Sequence, residues 1–138
     1  MKKFFSADSL FQSSGLTFIR VFFGLLLMYH GWEVFEPDKI KEYATWDALK
    51  TSASPLFMAY LGKGSELVAG ILLTVGLLTR LACLITIGTM LYITFFIGHG
   101  KFWYEDQHPF MFVLLALVFF FNGPGKWSVD ALLWKHSQ

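Results

Sequence analysis

The stretch LFMAYLGKGSELVAGILLTVGLL, residues 56–78, decides the fold because it is long and apolar enough to cross a lipid bilayer. Its only charged side chains are Lys63 and Glu66. Glu66 lies near the middle, where an ionised carboxylate costs at least about 2 kcal/mol unless it has a partner, a proton or a water-filled cavity. The stretch therefore predicts a transmembrane helix with an intramembrane carboxylate that needs an explanation.

The composition extends this prediction to the whole chain. Hydrophobic residues make up 55% of the sequence, 16 of the 138 residues are Phe, and the mean hydropathy is +0.53. A soluble domain of this size cannot bury so much apolar surface. We predict an all-α integral membrane four-helix bundle, a single domain over residues 1–138. Its membrane spans are residues 15–35, 56–78, 81–98 and 109–122.

Two segments outside the spans have the pattern of short interfacial helices. The first loop carries apolar residues at three-residue spacing among charged ones: Ile40, Tyr43, Trp46 and Leu49. This pattern predicts an amphipathic helix that lies in the membrane interface. After the fourth span, Ser128 is expected to cap a second short helix that carries Trp134.

An even number of spans places both termini on the same side of the membrane. Of the 11 Lys and Arg residues, six lie on the side of the termini and five on the other. The positive-inside rule therefore favours cytoplasmic termini by one charge. Polar residues interrupt any apolar run after Met1-Lys2-Lys3, so we interpret the N-terminal segment as a retained cytoplasmic tail and not as a signal peptide.

Alternating span direction brings the polar residues of several spans to the non-cytoplasmic end of the bundle. His30 and Glu33 end the first span and share a helix face, and His30 titrates near neutral pH. Lys63 and Glu66 lie in the first half of the second span. The predicted ligand-binding set is His30, Glu33, Lys63, Glu66 and His108.

Three interpretations of this cluster remain open on the residues alone. The side chains either satisfy one another and hold the helices together, or form a pocket for a ligand or a proton relay, or hold a metal or haem. The His30-x2-Glu33 spacing is weak support for a metal. Cys83 is the single cysteine, which excludes a disulfide framework or a thiolate cluster within the chain, and we expect it to be a packing residue. We assign no metal.

A second polar group is predicted at the cytoplasmic end, and we assign it a structural role. It consists of Arg20, Arg80 and Asp130. Arg20 either extends to lipid phosphates or reaches toward Asp130 and ties the two ends of the chain together.

Three groups of residues carry a family resemblance. They are Arg20, Gly24 and His30-Gly31; then Glu66, Gly70 and Gly76-Leu77-Leu78-Thr79-Arg80; then Gly123-Pro124-Gly125, Ser128 and Asp130. This set resembles the DoxX family of bacterial four-helix membrane proteins. The family often has a basic residue shortly after the His-Gly pair, where this chain has Glu33, and an acidic residue at the start of the fourth span, where it has Gln107-His108. Both departures fall in the candidate site.

The resemblance implies a multi-pass protein of the bacterial cytoplasmic (inner) membrane. Related proteins are associated with membrane oxidoreductase complexes, including quinone-linked oxidation of thiosulfate, and with redox or sulfur stress. A quinone is thus the candidate cofactor. The expected partners are the lipid bilayer and oxidoreductase subunits, with self-association left open and no nucleic acid.

We therefore hypothesise an accessory or quinone-interacting subunit of a membrane redox system. Lys63 or His30 would hydrogen-bond a quinone carbonyl, Glu66 would handle the proton, and Tyr92 and Trp103 would flank the ring. The alternative is a non-enzymatic protein that binds a small molecule or lipid, or that stabilises a larger complex. Whether the chain is itself an enzyme is left open.

Overall fold

The computed structural model describes residues 12–134. The predicted N-terminal tail with Lys2 and Lys3, and Lys135 near the other terminus, lie outside the described residues. The helices, in chain order, are α1 (Gln12–Gly31) with a 3-10 continuation (Trp32–Phe35), α2 (Pro37–Ala44), α3 (Asp47–Lys50), α4 (Pro55–Val75), α5 (Thr79–Tyr92) with a π-helical continuation (Ile93–Ile97), α6 (Gln107–Asn122) and α7 (Val129–Trp134). Residues 12–134 contain no strand.

Three helical stretches are long and apolar enough to cross a membrane: Gln12–Phe35, Pro55–Val75 and Thr79–Ile97. The shorter apolar helix α6, of 16 residues, packs along α5 and completes the bundle. The predicted all-α membrane bundle is confirmed, and its helices begin and end within a few residues of the predicted bounds. We call the end that holds Glu33 and Pro55 the outer end, after the predicted orientation, and the opposite end the inner end.

Glycines let α1 and α4 approach each other closely. A Cβ added at Gly24 or Gly31 of α1 would collide with α4, and one added at Gly70 of α4 would collide with α1. Small residues are the usual means of close helix packing in lipid. An apolar side chain gains no hydrophobic free energy when it moves from lipid into a helix interface, so close van der Waals contact has to hold the helices together. Gly70 therefore has a packing role. Cys83 is fully buried in the core that these helices share with α5 and α6, as expected.

The turn between α4 and α5 is held by the chain that follows α6. Gly76 ends α4 in the left-handed conformation (φ 70°), which glycine adopts without strain. Leu78 is also left-handed (φ 47°), which is uncommon for a residue with a Cβ. The Asp130 carboxylate accepts hydrogen bonds from the backbone N–H groups of Leu78 (2.7 Å) and Thr79 (2.8 Å). Asp130 therefore stabilises the start of α5.

Arg20 is buried, with 1% of its surface exposed, and does not extend to lipid phosphates. Its guanidinium donates to the carbonyl oxygens of Leu73 (2.6 Å) and Trp127 (2.7 Å). Arg20 thus ties α1 to the end of α4 and to the segment after α6, but through backbone carbonyls and not through a bond to Asp130. Arg80 is exposed and forms no ion pair or hydrogen bond with a described residue.

The first loop differs from the single interfacial helix predicted for it. It forms two helices. The first, α2, ends at Ala44 with Thr45 as its C-cap, and the Thr45 hydroxyl donates to the Glu42 carbonyl (2.7 Å). Ile40 and Leu49 are buried against Ala59 of α4, so the α2–α3 pair folds over the outer end of the bundle. The C-terminal prediction is confirmed: the Ser128 hydroxyl accepts from the Ala131 N–H (3.1 Å) at the start of α7.

Candidate functional site

A cavity of about 490 Å³ lies at the outer end, bounded by α1, α4, α5 and α6 and covered by α2 and α3. Its wall is mostly apolar, with a few polar side chains, as in most small-molecule sites, and its volume falls within their usual range of about 300–1,000 Å³. Four of the five predicted site residues line it: His30, Lys63, Glu66 and His108.

Glu66 is the most deeply buried ionisable group in this wall, with 4% of its side chain exposed. The Lys63 ammonium, one turn toward the outer end, lies 3.1 Å from its Oε2. The spacing of these two residues permits an ion pair on one helix face, and the structure forms it. The cavity therefore has an ion pair in an otherwise apolar wall.

Glu33 does not line the cavity, but it joins this pair to the surface. Its Oε2 lies 3.0 Å from the Lys63 ammonium, and its Oε1 accepts a hydrogen bond from Lys39 (2.9 Å). The Tyr43 hydroxyl donates to Oε2 at 2.6 Å. The side chains become less exposed in the order Lys39 (45%), Glu33 (22%), Lys63 (18%) and Glu66 (4%). An unbroken chain of charged groups thus runs from the outer surface to the cavity.

The two members of this network outside the spans have shifted pKa values. Burial, followed by the hydrogen bond to the Glu33 carboxylate, raises the pKa of Tyr43. The hydrogen bond to Glu33 raises the pKa of Lys39. Tyr43 is therefore a hydrogen-bond donor, and Lys39 a cation, throughout the physiological range of pH.

His30 and Glu33 point in different directions although they are three residues apart. The His30 ring faces the cavity, 5.5 Å from the ring of His108 and 6.1 Å from that of Phe112. Glu33 lies in the 3-10 continuation of α1 and faces α2 and α4. The predicted ligand-binding set thus divides: His30 lines the cavity, while Glu33 belongs to the ionic network with Lys39 and Lys63.

The last turn of α5 forms another part of the wall. The Gly98 N–H bonds to the Ile93 carbonyl five residues back (2.7 Å), which makes this turn π-helical. Ile93, Ile97 and Tyr92 line the cavity. Such π-helical turns occur often at functional sites.

Trp103 and His99 lie outside the cavity. Trp103 is exposed, with its ring 4.9 Å from that of Phe102. Asp106, just before α6, accepts hydrogen bonds from the backbone of His99 and Lys101, both at 2.9 Å. The acidic group near the start of the fourth span therefore orders the α5–α6 loop instead of facing the cavity.

Sequence reasoning missed the contribution of α2 and α3 to the site. Tyr43 and Trp46 line the cavity, and the Tyr43 ring lies 5.2 Å from the Lys63 ammonium. The three-residue spacing from Ile40 to Leu49 was the available signal, but it indicates an apolar face without indicating what covers it. Across residues 12–134, no group of three or more His, Cys, Asp or Glu side chains is arranged to hold a metal ion.

The fold and the cavity define a class of protein: a small all-α membrane protein with an ionisable site inside one end of a helix bundle. The DoxX family model matches residues 15–99, more than half of the 138-residue chain. The chain belongs to the DoxX family. No curated protein and no solved structure matches it.

Proposed function

We propose that the protein is an accessory, quinone-interacting subunit of a bacterial membrane redox system. The observation that carries this proposal is the Lys63–Glu66 ion pair in the wall of a largely apolar cavity of about 490 Å³. A quinone head is an apolar ring with carbonyl acceptors at its edge, so it needs this combination of apolar wall and charged donor. The association of DoxX relatives with membrane oxidoreductases gives independent support.

The residues present fit such a head. The Lys63 ammonium supplies a donor for one carbonyl, and His30, whose contacts within the protein are with rings, offers a second. Tyr92 and Phe112 provide flat apolar surface on the cavity wall. A bound quinone supplies the capacity to take up two electrons and two protons, and the electrons would come from a partner protein.

The row of charged side chains from Lys39 to Glu66 would give this protein a role in moving the protons that the quinone takes up or releases. The Lys63 ammonium would first donate one of its protons to Glu33, 3.0 Å away, and the neutral amine would then accept a proton from a protonated Glu66, 3.1 Å away, which restores the ammonium. Lys39 places Glu33 within reach of water at the outer surface. Proton exchange would then take place with the aqueous phase on the outer side.

Extraction of the purified protein with organic solvent, followed by quantification of quinone per protein chain, tests the proposal. We expect stoichiometric quinone in the wild type and at least a tenfold lower affinity, about 1.4 kcal/mol, in Lys63→Met and Glu66→Gln. The matched controls are Lys101→Met and Glu105→Gln, which change the exposed Lys101–Glu105 pair (3.2 Å) outside the cavity. Wild-type protein without quinone, and without affinity for added quinone, would contradict the proposal.

A second candidate is a structural subunit, or a non-enzymatic binder of a lipid or small molecule. It is favoured by Glu33, whose carboxylate is fully engaged by Lys39, Tyr43 and Lys63 and needs no ligand. Stoichiometric co-purification with a larger membrane complex, with no quinone in either, would support this candidate over the first.

A further inference from the structure

The wall of the cavity includes residues that face the lipid on α5. Leu84 and Phe95 are about half exposed and lie on the membrane-facing side of this segment. Gly88 is four residues after Leu84 and seven before Phe95, so helical spacing places it on the same face. Gly88 is exposed and also lines the cavity. The cavity therefore reaches the lipid-facing surface at this glycine.

The neighbouring helix α4 also contributes a lipid-facing residue to the cavity wall. Phe57, Leu61 and Val68 follow one another at four and seven residues and are all at least half exposed, which marks the lipid-facing side of α4. Leu61 is also part of the cavity wall. The helices α4 and α5 pack side by side, so each contributes an exposed residue to the cavity wall on the lipid-facing side, while Trp46 and His108 are exposed wall residues outside these two helices.

Gly88 lies at about the depth of Glu66, and Leu61 lies about 7.5 Å closer to the outer end. Glu66 lies nine residues before the end of α4 at Val75, and Gly88 lies nine residues after the start of α5 at Thr79. Both are therefore about 14 Å from the turn that joins the helices. A Cβ built at Gly88, or at Gly62 in the same wall, meets nothing within 4 Å, so no side chain covers the cavity wall at these two glycines.

We infer that the ligand keeps its polar head beside Glu66 and passes an apolar tail between Leu61 and Gly88 into the bilayer. This inference rests on the proposed function and names the ligand class more closely: a quinone with a long isoprenoid tail, which enters from the membrane. The cavity need hold only the head, because a tail that leaves between these two residues stays in hydrocarbon and loses no favourable environment.

Binding of two quinones to Gly88→Leu, one with a long isoprenoid tail and one without a tail, tests the inference. Leucine is a better helix former than glycine, so α5 should be retained. We expect the variant to bind the tailed quinone at least tenfold more weakly, about 1.4 kcal/mol, and the tail-free quinone as the wild type does. The matched control is Gly64→Leu, since a Cβ at Gly64 also meets open space but this residue does not line the cavity.

Leu61→Trp narrows the path of the tail from the α4 side and gives a second measurement that does not depend on the folding of the Gly88 variant. The matched control is Val68→Trp, on the same lipid-facing side of α4 but outside the cavity wall, which should leave binding of the tailed quinone intact. Equal weakening of both quinones would mean that the substitutions fill the cavity, and no weakening of either would mean that the tail lies elsewhere; both results overturn the inference. A wild-type protein that binds neither quinone overturns the proposed function, and the inference with it.

Discussion

Lys63 lies between two carboxylates, Glu33 at 3.0 Å and Glu66 at 3.1 Å, and forms an ion pair with each of them. Lys63→Met would leave Glu66 buried without a partner. We expect a loss of about 1–3 kcal/mol in the free energy of unfolding in detergent, because an unpaired buried charge costs more than the pair contributed.

The double variant Lys63→Met with Glu66→Gln should recover part of this loss, since Gln removes the unpaired charge. Lys101→Met, in an exposed pair, should cost little and serves as the control. If the double variant were no more stable than Lys63→Met alone, the interaction between Lys63 and Glu66 would contribute nothing to stability.

Tyr43 gives a prediction that depends on pH. Burial and the hydrogen bond to Glu33 raise the pKa of Tyr43 above its ordinary value of about 10, so the folded protein holds this proton more tightly than the unfolded chain. The stabilising contribution is therefore complete below about pH 10 and is lost as the pH rises further. We expect Tyr43→Phe to be less stable than the wild type at pH 7, and the difference in melting temperature to shrink above pH 10. A difference independent of pH would argue against the bond.

The two halves of this network were not equally predictable from the sequence. Lys63 and Glu66 share one helix, so their spacing alone brings them together. Tyr43 and Glu33 meet only because the first loop folds back over the bundle, which no local pattern encodes. Glu33 lies in the 3-10 continuation of α1, and the spacing from His30 does not show that only His30 lines the cavity.

At the scale of elements, one part of the set that carries the family resemblance meets at the inner end, namely Arg20, Gly76 to Thr79 and Asp130, while His30 and Glu66 of the same set line the cavity at the outer end. Gly76 ends α4 where a Cβ would collide with the Arg20 guanidinium. Asp130 binds the backbone of Leu78 and Thr79, and its own N–H donates to the Gly76 carbonyl at 2.9 Å. These motifs are explained by packing of the α4–α5 turn, while the cavity at the outer end carries the candidate chemistry.

Asp130→Ala should therefore destabilise the bundle without affecting ligand binding. The expected cost is about 0.5–2 kcal/mol, as for loss of a helix N-cap, because the Leu78 and Thr79 N–H groups lose their acceptor. Asp38→Ala, which removes an exposed carboxylate paired with Lys41, is the control and should change the melting temperature little. Equal melting temperatures for the two variants would show that Asp130 does not stabilise this turn.

The short helices are the elements that the sequence predicted least well. Their apolar residues were recognisable, but a surface membrane helix and a cover over a bundle have the same pattern. Burial of Ile40 and Leu49 against Ala59 decides between the two, and it depends on the tertiary fold. The three long apolar helical stretches and the shorter apolar helix α6 were predictable because length and hydropathy indicate them without tertiary contacts.

For the whole molecule, orientation determines which aqueous phase the charged network reaches. We propose that both termini are cytoplasmic, since α1, α4, α5 and α6 cross an even number of times and the balance of Lys and Arg favours that side. A reporter that is active only outside the cytoplasm, fused after Gln138, should be silent. One fused between Lys101 and Glu105, in the α5–α6 loop, should be active. The reverse result would place the network on the cytoplasmic side.

The central claim is that a quinone head occupies the cavity beside Glu66. Photolabelling with a quinone that carries an azide on its ring, followed by mass spectrometry of the labelled peptides, tests this claim most directly. We predict labelling of cavity-lining segments around Gly62 to Glu66 and Tyr92 to Ile97, competition by excess unlabelled quinone, loss of the label in Gly62→Leu and retention in Gly64→Leu. Label confined to the lipid-facing residues of the bundle, and equal in the two glycine variants, would contradict the claim.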